Sequence, residues 1–295
     1  MTESEWLAEG FEENRTRLRG VAYRMLGSLS EADDAVQEAW LRASRSDAGA
    51  ADNLGAWLTT IVARVCLNVL RSRARRREDP MGVHVPDPVI SRTDGTNPED
   101  EALLADSVGL ALLVVLETLT PAERLAFVLH DMFDLPFDEI APMVGRSPAT
   151  ARQLASRARR RVRGAETHVP EPDLSRQRKV VDAFYAAARS GDLDALVAVL
   201  DPEVVMRSDG GTARPDASVA VHGAAAVAAQ TLTFHQPAAR ARHALVNGAV
   251  GAVLTIDEQP IAVLGFTVSG GKIVAIDAIA DPERLRRLDL TALDN

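Results

Sequence analysis

Thr150, Arg152, Gln153, Ser156, Arg157 and Arg160 recur at helical spacing on one side of the segment that opens at Pro148. Arginine and glutamine donate paired hydrogen bonds to guanine and adenine edges, and further arginines suit phosphate oxygens. Such a row supports recognition of duplex DNA rather than bond making. Ala151, Leu154, Ala158 and Val162 fall on the opposite side and predict its buried face. Upstream, Phe137 to Val144 predicts a short helix distorted by Pro142. Gly145 supplies the turn, and the small Ala141 permits the close crossing of a helix-turn-helix. A solvated basic helix in a bundle is the plainer alternative.

A second row lies between Trp57 and Arg77. Leu54, Trp57, Leu58, Ile61, Val62, Val65, Val69 and Leu70 predict the buried stripe of a helix over 54–73. Thr60, Arg64, Asn68, Arg71 and Arg75 form the opposite stripe, with Arg73 in the same basic run. An arginine run alone is commonly a solvated helix end, where cations also suit the helix dipole. Joined to an apolar stripe, with Trp57 available for stacking, it suits a helix lying along melted or duplex DNA. Asp209, His222, His235 and His243 are candidate acid–base groups, but their spacing forms no constellation for catalysis.

The net charge of −9 argues against a nucleic-acid partner until the chain is divided. Residues 71–77 hold five arginines and no acid, and residues 151–165 hold six arginines and no acid. Screening confines each field to about 8–10 Å, so local charge governs contact with phosphates. The single cysteine, Cys66, excludes a disulfide framework and a cysteine-based zinc site. The acidic start lacks a basic n-region, and no uninterrupted apolar stretch approaches the roughly 18 residues of a membrane span. The expectation is a soluble cytoplasmic protein without a metal or cofactor.

Elements that would position these residues follow from periodicity. Leu18, Val21, Ala22, Met25 and Leu26 predict a helix over 15–26, stopped by Gly27. Ser30 to Asp33 reads as a capping box for a second helix through about Arg45. Residues 78–102, with Pro80, Pro86, Pro88 and Pro98, read as an extended, mobile linker, with helices resuming near Leu103. Thr120 to Glu123 is a second capping box with Pro121 at the first helical position. After a break at 166–175, two helices over 176–200 precede β-branched runs at 204–206, 239–246, 250–256, 261–268 and 273–279. Gly270-Gly271 is a hairpin signal.

Leu18 to Leu41, with Ala32-Asp33-Asp34-Ala35-Val36-Gln37-Glu38-Ala39-Trp40, together with Ala56 to Arg64, resembles region 2 of an extracytoplasmic-function (ECF) sigma factor of the sigma-70 family. Leu119 to Arg161 resembles region 4. The C-terminal third resembles a SnoaL-like, polyketide-cyclase-type extension carried by one subgroup. His84-Val85-Pro86-Asp87-Pro88 stands where that subgroup has Trp-Leu-Pro-Glu-Pro. Asp209-Gly210-Gly211 matches the start of its Asp-Gly-Gly-Gly-Lys loop, and Asp281-Pro282-Glu283-Arg284-Leu285 resembles its Asn-Pro-Asp-Lys-Leu.

The resemblance implies a multidomain fold: an all-α region 2 domain (1–77), linker (78–102), an all-α region 4 domain (103–165), linker (166–175) and an α+β, cone-shaped SnoaL-like domain (176–295). It implies that Asp33, Asp34, Gln37 and Glu38 meet the β′ clamp helices of core RNA polymerase. It further implies that the row from Trp57 to Arg75 opens the −10 element and that the helix from Pro148 reads the −35 duplex. Many family members have Asn and Asp where this chain has Arg64 and Asn68. The third domain would regulate through Pro86, Asp87, Pro88, Asp209, Gly210, Gly211, Asp281 and Pro282, with room for a small-molecule ligand. Two other classes remain open at this level. One is a one-component ligand-sensing DNA-binding regulator. The other is a cyclase or isomerase with a DNA-binding appendage.

Overall fold

In a computed structural model, residues 3–46, 53–76, 83–92, 109–164 and 171–290 are described. The first helix is longer than its apolar repeat predicted. α1 runs over Glu3–Leu26 rather than from Arg15, because buried Leu7 and Phe11 extend its inward face upstream. α2 covers Leu29–Ala43 and α3 covers Leu54–Arg76. The capping box expected at Ser30 is corrected. Ser28 is the N-cap, and its hydroxyl lies 3.1 Å from that of Ser30 instead of capping the helix.

Leu18, Met25, Leu58 and Leu67 are fully buried, and Phe11 packs on Trp40 with ring centroids 4.9 Å apart. The buried stripe of α3 is rotated from the expected one. Thr59, Ala63 and Cys66 face inward, while Leu54, Trp57, Ile61 and Val69 are half-buried. By length and composition Leu54–Arg75 is apolar enough to cross a membrane, contrary to the expectation of no such segment. Its apolar residues are the interior of a helical bundle packed on α1 and α2. Thr59 returns its hydroxyl to the carbonyl of Gly55 at 2.7 Å. That is how a core helix accommodates a buried hydroxyl.

α4 spans Leu110–Glu117 and α5 Pro121–Phe127, followed by a π-helical turn over Val128–Met132. The Thr120 capping box is present in both directions. Glu123 N–H donates to the Thr120 hydroxyl at 3.4 Å, and Thr120 N–H donates to the Glu123 carboxylate at 3.3 Å. α6 (Phe137–Val144) contains Pro142 and ends at Gly145 with φ 67°, the left-handed conformation glycine tolerates. α7 runs over Pro148–Gly164 with Ala151, Leu154, Ala155 and Ala158 buried; Val162 is half-buried rather than buried.

By their contacts, the described residues form two units, with the boundary inside α4. One holds α1 to α3 with α5 to α7; the other holds 83–92 and 171–290. In the second unit, α8 (Leu174–Ser190), α9 (Leu193–Val199) and α10 (Ala224–Phe234) cover one face of a sheet. Its strands are β1 (Ile90–Ser91), β2 (Leu200–Asp209), β3 (Val219–His222), β4 (Arg240–Val246), β5 (Ala249–Ile256), β6 (Gln259–Ser269) and β7 (Lys272–Ile279). The order is β1-β4-β5-β6-β7-β2-β3, with only β2 and β7 parallel. A last turn, α11, covers Pro282–Leu285. Phe184, Leu196, Val227, Phe266 and Ile276 centre the core. This is the α+β third domain expected, with a Gly270-Gly271 hairpin between β6 and β7.

The linker expectation needs correction over its central part. Residues 83–91 are extended but not loose: β1 pairs antiparallel with β4, Ile90 opposite Val246 and Ser91 opposite Leu245. Asn247 and Val89 exchange two further bonds, at 3.0 and 2.8 Å. Composition alone carried no sign of this edge, because the partner strand lies more than 150 residues away. Pro80, Pro98, Arg77, the expected helix start near Leu103 and residues 166–170 lie outside the described residues.

Candidate nucleic-acid interface and linker clamp

On α7, Arg152, Gln153, Ser156, Arg157 and Arg160 are exposed and Thr150 is half-buried, so the row predicted from spacing shares an outward face. Two of the helix's arginines are held by one acid. Glu123, buried at the start of α5, accepts from Arg157 Nε at 2.9 Å and Arg161 Nη1 at 2.7 Å. Burial would raise the Glu123 carboxyl, but Arg157, Thr120 and Arg161 outweigh it and hold the group below its ordinary value. Arg159 pairs with Asp131 at 2.5 Å, and Arg152 stacks over the Phe137 ring at 5.3 Å. α7 is thus braced on α5 and α6 while its guanidinium edges remain half-exposed.

On α3, Arg64, Asn68 and Arg75 are exposed, and Thr60 and Arg71 are half-buried on the same stripe. Trp57 is half-buried at the helix start. Arg73 departs from the row: it turns back to the Glu31 carboxylate and the carbonyl of Leu26. Asp33, Asp34 and Gln37 are exposed on α2, with Glu38 beside them. Asp33 pairs with Arg19 at 2.6 Å and Glu38 with Arg42 at 2.8 Å.

The two helical groups of the first unit are themselves joined. Arg124 of α5, 5% exposed, donates to the carbonyl of Met25 in α1 at 2.9 Å. Burial pulls its guanidinium down to about 10, against the opposing charge of Glu117, so it stays protonated at neutral pH. Arg24 of α1 lies over the Phe133 ring at 5.1 Å.

The second unit gathers the three short motifs of the third domain and linker at one side chain. Arg284 donates to Asp87 at 2.7 Å, to Asp209 at 2.7 Å and to the carbonyl of Val85 at 2.5 Å. Asp209 also accepts the buried amide of Val85 at 3.0 Å and lies 3.1 Å from His84 Nδ1. Burial alone would raise the Asp209 carboxyl. Bonds from His84, Val85 and Gly211, with the charge of Arg284, hold it at about 2 instead. Asp281 caps α11 through the amides of Glu283 and Arg284. Gly211, at φ 60°, lets its loop pass so close to Asp281 that a Cβ would collide with the carboxylate. Pro86 and Pro88 flank Asp87, and Pro282 opens α11.

Arg284 lies inside the Asp281-to-Leu285 motif with no local sign of its role. Nothing local marks a partner 197 residues away. The acid–base candidates do not converge. Asp209 is bound in the clamp, and His222 is exposed on β3. His243 pairs with Asp182 at 3.3 Å, and only His235 lines the cavity of the domain.

Set against known proteins, the helical regions match two family descriptions: Sigma-70 region 2 over residues 11–76, and Sigma-70 region 4 over residues 109–162. An exposed basic helix and a helical bundle of this kind are thus those of a promoter-recognition subunit, and the chain belongs to the ECF RNA polymerase sigma factors. It is 40% identical over 287 residues to the ECF RNA polymerase sigma factor SigJ of Mycobacterium tuberculosis (strain ATCC 25618 / H37Rv), covering 93% of this chain and 91% of that protein. A crystal structure of the M. tuberculosis sigma factor SigJ superposes with a TM-score of 0.77 at 37% identity, over 96% of this chain and 99% of that one. A further M. tuberculosis protein described as a probable ECF sigma factor, SigI, is 35% identical over 97% of both chains.

Proposed function

We propose that this sigma factor meets core RNA polymerase through Asp33, Asp34, Gln37 and Glu38 of α2. It reads −35 duplex with Thr150, Arg152, Gln153, Ser156, Arg157 and Arg160 of α7, and it captures the −10 region with Trp57, Thr60, Arg64, Asn68, Arg71 and Arg75 of α3. Arg73 serves instead to tie α3 to α2. The mechanism is binding and strand capture in the cytoplasm, without bond chemistry. The outward row of α7, braced by Glu123, supports duplex reading, because a fixed helix presents donors in one register to base edges. In a co-elution test, the chain should travel with purified bacterial core polymerase and confer promoter-dependent transcription from its own upstream DNA. Failure of both would sink this reading.

The third domain acts as the regulator. The observation that carries this is the Arg284 clamp: it fixes 83–91, part of the only covalent tether between regions 2 and 4. The −35 and −10 elements are about 25 base pairs apart by their names, on the order of 80 Å at about 3.4 Å per pair. Regions joined by the Arg124–Met25 bond must therefore part to engage both. A tether clamped to the third domain opposes that separation. Polymerase or a ligand shifts the balance only through unequal affinity for clamped and released states.

A further inference from the structure

The arginines of α7 are braced in two different ways. Arg157 and Arg161 spend N–H donors on the Glu123 carboxylate, and Arg159 spends one on Asp131. Arg152 instead stands with its guanidinium carbon 5.3 Å from the centroid of the Phe137 ring. A cation over a ring is held by the π cloud, which takes up no N–H. Among the described residues no hydrogen bond or carboxylate engages the Arg152 guanidinium, so its five donors remain unspent while its position is fixed.

The ring that holds it is itself fixed. Phe137 opens α6 and is half-buried. His130, carried by the π-helical turn, stacks on it with ring centroids 3.9 Å apart and planes tilted by 32°. His130 Nδ1 donates to the carbonyl of Leu135 at 2.9 Å, and the Leu135 amide donates to the carbonyl of Leu129 at 2.9 Å. Asp134, at φ 56°, turns the chain inside this loop. The stack His130–Phe137–Arg152 thus ties the end of the π-helical turn to the outward face of α7.

Arg152 is the fifth residue of α7, within the N-terminal part of a recognition helix that meets base edges. Held by one face, a planar guanidinium keeps its forked edge for a second partner, and that fork matches the O6 and N7 acceptors of guanine. We propose that Arg152 reads a guanine of the −35 duplex and that Phe137, backed by His130, is the positioning residue that sets its aim. This rests on the reading of α7 as the duplex-reading helix and deepens it by assigning a base preference to one stacked side chain.

The test is selection by the holoenzyme, core polymerase with the full chain, from a duplex library randomised across the −35 element. Arg152→Ala, a change at an exposed residue, should lower the preference for guanine at one base pair alone, by about 5- to 150-fold. Phe137→Leu, which removes the ring but keeps an apolar side chain, should lower it at the same pair by about two- to fivefold. Phe137→Tyr should restore it. Preference is a ratio among bound sequences, so a smaller folded fraction leaves it unchanged, whereas loss of the ring does not. Uniform weakening across all sequences in Arg152→Ala, with a shallower salt dependence, would mark a phosphate contact and overturn the proposal while leaving α7 as the duplex reader. A preference unmoved by Phe137→Leu, or lost equally in Phe137→Tyr, would overturn the role of the ring. Selection of no −35 sequence by the native holoenzyme would overturn the reading of α7 itself.

Discussion

Two arginine sites in this chain use the same chemistry to opposite ends. On α7, Arg157 and Arg161 pair with Glu123 while their side chains stay 45% and 51% exposed. At the clamp, Arg284 is 16% exposed and meets Asp87 and Asp209 at 20% and 6%. An exposed guanidinium keeps much of its hydration, and because Arg157 and Arg161 share Glu123, one can turn to a phosphate while the other still holds the buried carboxylate. A shielded one cannot be separated from its partners without leaving charges uncompensated. Reading DNA requires the first kind, and fixing a tether requires the second.

The largest effect expected breaks the shielded site. Arg284→Ala removes the guanidinium that Asp87 and Asp209 share and should destabilise the third domain by about 3–5 kcal/mol. Thermal unfolding would show it, with faster amide exchange at Val85 and Val89. Gly211→Ala acts on the same site through shape. A Cβ there meets Asp281 at a φ that disfavours side chains, for an expected loss of about 1–3 kcal/mol by denaturant unfolding.

Acid gives a graded version. The Asp209 pKa is depressed to about 2 in the folded chain, so its contribution is complete above the unfolded value near 3.9 and is lost as pH falls through about 2. Linker amide protection should therefore decline between about pH 4 and pH 2, and in Asp209→Asn this component of the decline should be missing. Smaller in stability is the exposed site: Arg157→Ala leaves the buried Glu123 still paired with Arg161 and should cost about 1.5–3 kcal/mol. It should nonetheless weaken −35 duplex binding by the holoenzyme, and if the contact is to phosphate it should lower the salt slope by about one. A stability loss there as large as that of Arg284→Ala would erase the distinction between the two sites.

Local chemistry made the first unit easy to read. The Thr120 box, Pro121 and the left-handed Gly145 each act within a few residues, so the helix-turn-helix could be placed to within a residue or two. The Ser30 box failed because Ser28, also a capping type, lies at the true boundary. The second unit was legible where strands are long and β-branched. It was opaque where identity depends on distant partners. β3 is short and half-exposed, and α10 is an alanine-rich run without a clear polar face. β1 is two residues whose strand character comes entirely from β4. The cavity draws on α8, α10 and strands β2, β4, β5, β6 and β7, so no stretch of sequence contains it.

If Arg284 restrains the tether between regions 2 and 4, releasing it should free the sigma factor. The most direct measurement is promoter-dependent transcription by core polymerase loaded with the native chain or with Arg284→Ala, alongside amide exchange of 83–91 in each. Exchange over 83–91 should be faster and transcription higher in the variant. Faster exchange with transcription unchanged or lost would contradict it, because the clamp would then hold the linker without restraining the sigma factor.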